Sequence, residues 1–157
     1  MGFVVIFVMA WLAVFIFYTM DKSLSIIENA FVYLIILTIG INISWVVAEE
    51  LKLVELTKDG LLYAGFILYR SIVIPMIFVI MFNAVYKVRF TILVILLMGV
   101  ALGTILAVNG LMLFYGIFHY KQWYLFYDLI LIVLMQAASF ALLKLYRRVI
   151  QGEVKVS

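Results

Sequence analysis

The stretch from Phe90 to Phe118 contains 29 residues and no charged side chain. As one α-helix it would be about 43 Å long, because each residue adds roughly 1.5 Å, and this length exceeds the roughly 30 Å hydrocarbon core of a bilayer. A soluble domain is about half apolar and about one-quarter charged, whereas this chain of 157 residues is 69% hydrophobic and 12% charged. These features predict an integral membrane protein and exclude a disordered chain or a secreted disulfide-rich domain.

Four other segments are also apolar enough to cross a bilayer, which requires roughly 20 mostly apolar residues. The five predicted spans are 2–20, 26–48, 61–86, 90–118 and 123–143. The predicted fold class is therefore an all-α integral membrane protein, a bundle of five transmembrane helices in a single domain over residues 1–157. The first span is expected to be retained, because a signal peptide has a basic region before its apolar core and the first basic residue here is Lys22.

Local signals indicate where some of these helices begin and end. Ser25 and Glu28 match a capping box, which predicts the start of the second helix. The apolar stretch runs to about Ala48, and no helix-breaking residue then follows until Asp59-Gly60. This helix is therefore predicted to project beyond the bilayer through residues 49–55; the alternative is that the stretch bends and lies on the surface. The fourth span is longer than a bilayer requires, so it is predicted either to tilt or to break near Asn109-Gly110.

The distribution of Lys and Arg predicts the orientation of the bundle, because basic residues that flank membrane spans concentrate on the cytoplasmic side. One side would carry three of them, Lys52, Lys58 and Lys121. The other side would carry seven, namely Lys22, Lys87, Arg89, Lys144, Arg147, Arg148 and Lys155. The N-terminus is therefore predicted to lie outside and the C-terminus in the cytoplasm.

Apart from Glu28 in the capping box, two charged residues lie inside predicted spans, where ionisable groups are costly and are usually paired or functional. Arg70 is in the third span and Asp128 is near the start of the fifth. Both helices would run inward, and an arginine side chain can extend back toward the membrane surface. We therefore expect Arg70 and Asp128 to meet in the outer half of the membrane, with Glu49 and Glu50 as competing partners of the arginine.

The second span adds a polar stripe. Thr38, Asn42, Trp45 and Glu49 recur at spacings of four, three and four residues, which places them on one helical face. Asn109 of the fourth span would lie at a similar depth. Two interpretations remain open: an outward-facing pocket that binds a small anion, a lipid headgroup or a peptide, or a buried ion pair that only holds the helices in register. In either case the predicted set is Asn42, Glu49, Arg70, Asn109 and Asp128.

The fourth span also has a face of small residues, which let helix backbones approach closely in a membrane. This face comprises Gly99, Gly103, Ala107 and Gly110. It is interpreted either as a contact between subunits or, as the commoner use of such a face, as packing against the fifth span within one subunit. A second group of residues predicts an aromatic belt at the membrane surface, with the lining of a ligand site as the alternative: Tyr115, Tyr120, Trp123, Tyr124 and Tyr127.

The composition restricts the available chemistry. The chain has no cysteine and a single histidine, His119, which excludes thiolate and multi-histidine metal sites. No phosphate-binding glycine loop, metalloprotease motif or catalytic triad is present, so no metal, cofactor or enzymatic activity is expected. The leading hypothesis is a non-catalytic multi-pass membrane protein that acts through helix contacts as a subunit, assembly partner or regulator of a larger membrane complex.

The alternative hypothesis is a transporter-like or pore-like protein that binds a small solute, an ion or a lipid headgroup in the pocket around Arg70 and Asp128. The expected partners are the lipid bilayer and either other membrane subunits or further copies of the chain, and not nucleic acid. The use of Ile, Phe, Tyr and Lys suits a low-GC bacterium, so the expected location is the bacterial cytoplasmic membrane.

Overall fold

A computed structural model of the protein describes the backbone of residues 1–153 and the side chains of residues 1–150. Within this part the chain forms six α-helices and two strands: α1 (Gly2–Thr19), α2 (Ile26–Trp45), β1 (Val54–Leu56), α3 (Gly60–Leu68), α4 (Ile74–Lys87), α5 (Thr91–Phe114), β2 (Phe118–Tyr120) and α6 (Leu125–Glu153). One turn of π-helix extends α2 over Val46–Glu50, and another joins α3 to α4 over Tyr69–Val73. Lys155, one of the seven basic residues predicted to face the cytoplasm, lies outside the described residues.

The five long apolar helices predicted from the sequence are present. Each is long and apolar enough to cross a bilayer, and together they cover Gly2–Thr19, Ile26–Glu50, Gly60–Lys87, Thr91–Phe114 and Leu125–Ile150. The expected all-helical bundle with five such helices is therefore confirmed, and β1 and β2 add one small antiparallel sheet that the sequence did not predict.

The continuous helix formed by α3 and α4 is at the centre of the bundle. It packs against α1 on one side and against α2 and α5 on the other, and α6 packs against α2 and α5. Phe78 and Phe82 of α4 are almost fully buried in the larger core cluster, together with Ile36 of α2 and Ile105 of α5. The helices α2, α4, α5 and α6 thus enclose a common interior, while α1 packs on the outside of α3.

Buried asparagines hold the loop that connects α1 and α2 against α4. The Oδ1 atom of Asn83 accepts hydrogen bonds from the backbone amides of Ser23 and Leu24, both at 3.0 Å. Its Nδ2 atom donates to Oδ1 of Asn29 at 2.6 Å, and Nδ2 of Asn29 donates to the Leu24 carbonyl at 3.0 Å. These bonds satisfy the polar groups that burial would otherwise penalise, so this connection is held firmly at one end of the bundle.

An ion pair joins α2 and α6 at the same end. Arg147 donates from Nε to Oε1 of Glu28 at 2.5 Å, and its guanidinium lies 4.2 Å from the ring centre of Tyr86. Glu28 also completes the predicted capping box with Ser25, which is confirmed. The opposite end of the bundle carries the two strands and is called the hairpin end below.

The second helix does not project through residue 55 as predicted. It ends at Glu50, Lys52 takes a left-handed backbone conformation with φ of 51°, and β1 follows. In β1 the backbone pairs with β2, with Glu55 opposite His119. Asp59 is also not a helix stop, because its carboxylate accepts hydrogen bonds from the Leu61 and Leu62 amides and so caps the start of α3.

The boundaries of the last two spans also differ from the prediction. The helix α5 continues through Asn109-Gly110 without a break and ends at Phe114, and the chain turns at Gly116 with φ of 65° before entering β2. It is therefore shorter than the predicted span over 90–118. The helix α6 begins at Leu125 and continues past residue 143, so the basic residues Lys144, Arg147 and Arg148 lie on its last turns.

The small-residue face of α5 does not pack against α6. A Cβ atom built on Gly99, Gly103 or Gly110 would have no heavy atom within 4 Å apart from its chain neighbours and the nearby backbone of its own helix, and Ala107 on the same face is exposed. A different face of α5 contacts the interior, and it carries Ala101, Ile105, Val108 and Met112. The interpretation of Gly99, Gly103, Ala107 and Gly110 as an intramolecular packing surface is therefore wrong, because larger side chains fill the space between α5 and its neighbours.

Candidate functional site

A cavity of about 140 Å³ lies inside the bundle beneath the two strands. It is bounded by α2, by the helix formed by α3 and α4, by α5 and by the start of α6. Most of its wall is apolar. Its polar side chains come from six different segments and comprise Ser44, Tyr69, Arg70, Asn109, Tyr120, Trp123 and Asp128.

The π-helical turn Tyr69–Val73 places two adjacent side chains on different walls of this cavity. A π-helical turn inserts an extra residue into the hydrogen-bond ladder and so shifts the directions in which side chains point. Tyr69 donates from its hydroxyl to Oδ1 of Asn109 on α5. Arg70 donates from Nη1 to the hydroxyl of Ser44 on α2 at 2.9 Å. The local backbone thus directs a phenol toward α5 and a cation toward α2.

Arg70 has unused hydrogen-bonding capacity. Its Nε atom is buried and has no hydrogen-bond partner within the described part of the chain. The guanidinium lies 5.4 Å from the ring centre of Phe66, and no carboxylate of the described side chains is within salt-bridge distance of it. Because Ser44 is a neutral partner, the positive charge of Arg70 is left without a directly bound counter-ion.

Asp128, in contrast, is surrounded by donors. Its Oδ1 atom accepts a hydrogen bond from Nε1 of Trp123 at 2.8 Å, and its Oδ2 atom accepts one from Nδ2 of Asn109 at 2.9 Å and another from the Tyr120 hydroxyl. Since Asn109 also accepts from Tyr69, the network joins the π-helical turn, α5, β2 and α6. Three neutral donors stabilise the carboxylate, so Asp128 does not need Arg70 as its partner.

Tyr120 lies at the boundary between the cavity and the strands. Burial raises the pKa of its hydroxyl above the ordinary value, and the hydrogen bond to Asp128 raises the pKa further. Tyr120 therefore remains a neutral donor to Asp128 at any physiological pH.

The structure brings together three of the five residues predicted for the pocket. Arg70, Asn109 and Asp128 line the cavity, but Arg70 and Asp128 do not form the expected ion pair. Asn42 and Glu49 are exposed and do not line it. The face of α2 that carries them points away from the interior, and Gly40, Ile43, Ser44, Val47 and Ala48 line the cavity instead.

Sequence reasoning missed two polar residues of this site, Tyr69 and Ser44, and favoured another role for two more. Tyr120 and Trp123 were expected to belong to an aromatic belt, yet both turn inward to Asp128, whereas Tyr124 and Tyr127 are exposed as expected. Tyr69 could have been suspected only as the neighbour of Arg70. Ser44 carries no signal in the sequence, because serine is common on membrane helices.

The charged groups of this cavity differ in how far their hydrogen-bonding capacity is used. No group of three His, Cys, Asp or Glu side chains close enough to hold a metal ion exists among the described residues. The cavity combines a fully hydrogen-bonded carboxylate with a guanidinium that still has a donor to offer. Comparisons with known protein families, with curated proteins and with solved structures find no match to this chain.

Proposed function

We propose that the protein is a non-catalytic, multi-pass membrane protein that binds a small anionic solute at Arg70 in the cavity. The buried Nε donor of Arg70, which faces no partner in the described part of the chain, carries this proposal. A guanidinium has five N–H donors, and a buried donor without an acceptor costs on the order of 1–3 kcal/mol. A bound anion would supply both the missing acceptor and the missing counter-ion.

The distribution of charge supports an orientation with the hairpin end outside. That end carries Lys52, Lys58 and Lys121, whereas the opposite end carries six of the described basic residues, namely Lys22, Lys87, Arg89, Lys144, Arg147 and Arg148. By the tendency of basic flanking residues to stay in the cytoplasm, the N-terminus lies outside and the C-terminus inside, in a cell membrane that we take to be a bacterial cytoplasmic membrane. The cavity is then in the outer half of the bilayer and accepts its solute from outside.

Anion binding is tested by thermal unfolding of the purified protein in a nonionic detergent, with sodium benzoate and sodium acetate as probes. A ligand that binds only the folded state raises the unfolding temperature with concentration. The rise is expected in the wild type and in Arg148→Gln, which removes an exposed arginine, and is expected to disappear in Arg70→Gln. Arg70→Lys keeps the charge and is expected to retain a weakened response. An equal rise in Arg70→Gln would contradict the proposal.

A second function, action as a subunit or regulator of a larger membrane assembly, is favoured by the small-residue face of α5. The glycines of this face have open space in front of them, and such surfaces support close helix contacts in bilayers. Crosslinking in native membranes tests it. Gly103→Leu is expected to abolish a crosslinked species formed with another copy or another protein, while Ala141→Leu, on an exposed position of α6, leaves it intact. Unchanged crosslinking in Gly103→Leu would contradict it.

A further inference from the structure

We propose that the solute is a monocarboxylate with a compact apolar body, close in size to benzoate. This inference rests on the proposed binding of an anion at Arg70 and adds the chemical class of the ligand. Three observations support it: the volume of the cavity, the division of its walls into an apolar and a polar part, and the carboxylate of Asp128 in the same cavity.

The volume restricts the ligand to about the size of one ring. The cavity measures about 140 Å³, and an apolar protein cavity of about 150 Å³ is known to bind benzene. A long acyl chain would therefore not fit in it as a whole. An inorganic anion alone would leave most of the volume unfilled, which forfeits packing contacts.

The walls are divided by composition along the cavity. On the side of Arg70 that is away from the hairpin end, the lining comes from Ile74, Phe78, Ile105, Ile132 and Met135. A polar group placed there would lose its hydrogen bonds with water and gain none. The body of the ligand must therefore be apolar, while its anionic group lies toward Ser44 and Arg70.

The charges in the cavity set the number and the form of the anionic groups. The edge of a guanidinium that contains Nε offers two parallel N–H groups, which match the two oxygens of a carboxylate. Asp128 lies on the wall of the same cavity, and like charges in a site of low dielectric repel each other strongly. A dicarboxylate would bring its second charge into this field, so a single carboxylate is favoured.

The test compares four probes by thermal unfolding and by calorimetric titration of the purified full chain in a nonionic detergent. Benzoate provides the charge and the ring, acetate the charge alone, benzamide the ring alone, and terephthalate the ring with two charges. Benzoate is expected to bind about tenfold or more tightly than acetate, because burial of the ring adds apolar contact. The affinity for benzoate is also expected to exceed the affinity for benzamide and for terephthalate. Ile105→Trp fills the apolar part and is expected to reduce benzoate binding to the level of acetate.

The outcomes separate this inference from the proposed function. Acetate binding that equals benzoate binding and is lost in Arg70→Gln would leave anion binding in place and overturn the inference. Benzamide binding that equals benzoate binding would overturn both. An absence of any response that depends on Arg70 would also overturn both. The comparison of probes needs only the wild-type protein, so the test decides the inference even when a variant does not fold.

Discussion

Pro75 shows at the scale of one residue how the π-helical turn is stabilised. Proline has no amide hydrogen, so Pro75 cannot donate to the Ser71 carbonyl four residues earlier in the chain. The hydroxyl of Tyr33 on α2 donates to this carbonyl instead, at 2.6 Å. The bond fixes α2 against the turn that carries Tyr69 and Arg70, and so it stabilises the position of both side chains.

Removal of this hydroxyl is expected to destabilise the protein in a way that depends on Pro75. Tyr33→Phe leaves the Ser71 carbonyl without a donor and is expected to lower the free energy of unfolding by about 1 kcal/mol. In a Pro75→Ala background the new amide can supply the helical bond, so Tyr33→Phe is expected to cost less there. Unfolding in detergent measures all four variants of this cycle.

Tyr18→Phe, at an exposed position of α1, is the matched control and is expected to have almost no effect. An equal cost of Tyr33→Phe in the presence and absence of Pro75 would show that the hydroxyl does not replace the missing amide.

The residues of the candidate site could be predicted from the sequence only in part. Arg70 and Asp128 were predictable because an ionisable side chain on an apolar helix has to turn away from lipid. Asn42 was not, because its amide donates to the Thr38 carbonyl of its own helix at 2.7 Å. A polar side chain that is satisfied by its own backbone has little need of burial, so polarity alone did not reveal the face of α2 that points inward.

At the scale of elements, the pairing of β1 with β2 is the main difference between expectation and structure. The two strands are three residues each and lie about 60 residues apart in the chain, with Val54 opposite Tyr120 and Leu56 opposite Phe118. Segments this short have no helical or strand period that distinguishes them from a loop. Their pairing exists only because the ends of α2 and α5 bring them together, which no local pattern can show.

Glu55 and Lys121 connect the two strands through an exposed ion pair of 3.1 Å. The neighbouring ammonium of Lys121 holds the pKa of Glu55 below its ordinary value of 4.5. A carboxyl whose pKa is lowered in the folded state contributes stability above its ordinary pKa and loses it as the pH falls through the folded value. The contribution of this pair is therefore present at neutral pH and disappears in acid below pH 4.5.

Glu55→Gln is accordingly expected to lower the unfolding temperature slightly at pH 7 and to have no effect at a pH well below 4.5. Thermal unfolding of both proteins across this range gives the measurement, with Glu50→Gln as a control at another exposed acid of the same end. Because exposed pairs are screened by salt, the difference at pH 7 is expected to shrink in high salt. A difference that persists in acid would assign the effect to something other than the charge of Glu55.

For the whole molecule, the number of helices follows from the sequence, but their arrangement does not. Each apolar run is long enough to be recognised by itself. The side of a helix that faces its neighbours is harder to recognise, since lipid-facing and buried positions are similarly apolar. This is why the glycine face of α5 was expected to pack inside and instead lies outside, while the interior holds Ile105 and Met112.

The proposed insertion and orientation of the bundle can be tested with single cysteines, because the chain contains none of its own. Gln122→Cys lies at the hairpin end and Ser23→Cys at the opposite end, both positions are exposed, and neither substitution changes the charges that set orientation. In intact bacterial cells, a membrane-impermeant maleimide is expected to label Gln122→Cys alone. Ser23→Cys is expected to react only after permeabilisation.

A third variant separates insertion from orientation. Val100 lies in the middle of α5 and is exposed on its surface, so Val100→Cys would face hydrocarbon in an inserted bundle. It is expected to resist the aqueous reagent both before and after permeabilisation, because a thiol in lipid is not reached by water and seldom ionises to the reactive thiolate. Labelling of Ser23→Cys in intact cells would reverse the orientation and place the cavity on the cytoplasmic side. Rapid labelling of Val100→Cys would mean that α5 does not cross the bilayer, and the solute would then have to reach Arg70 by another route.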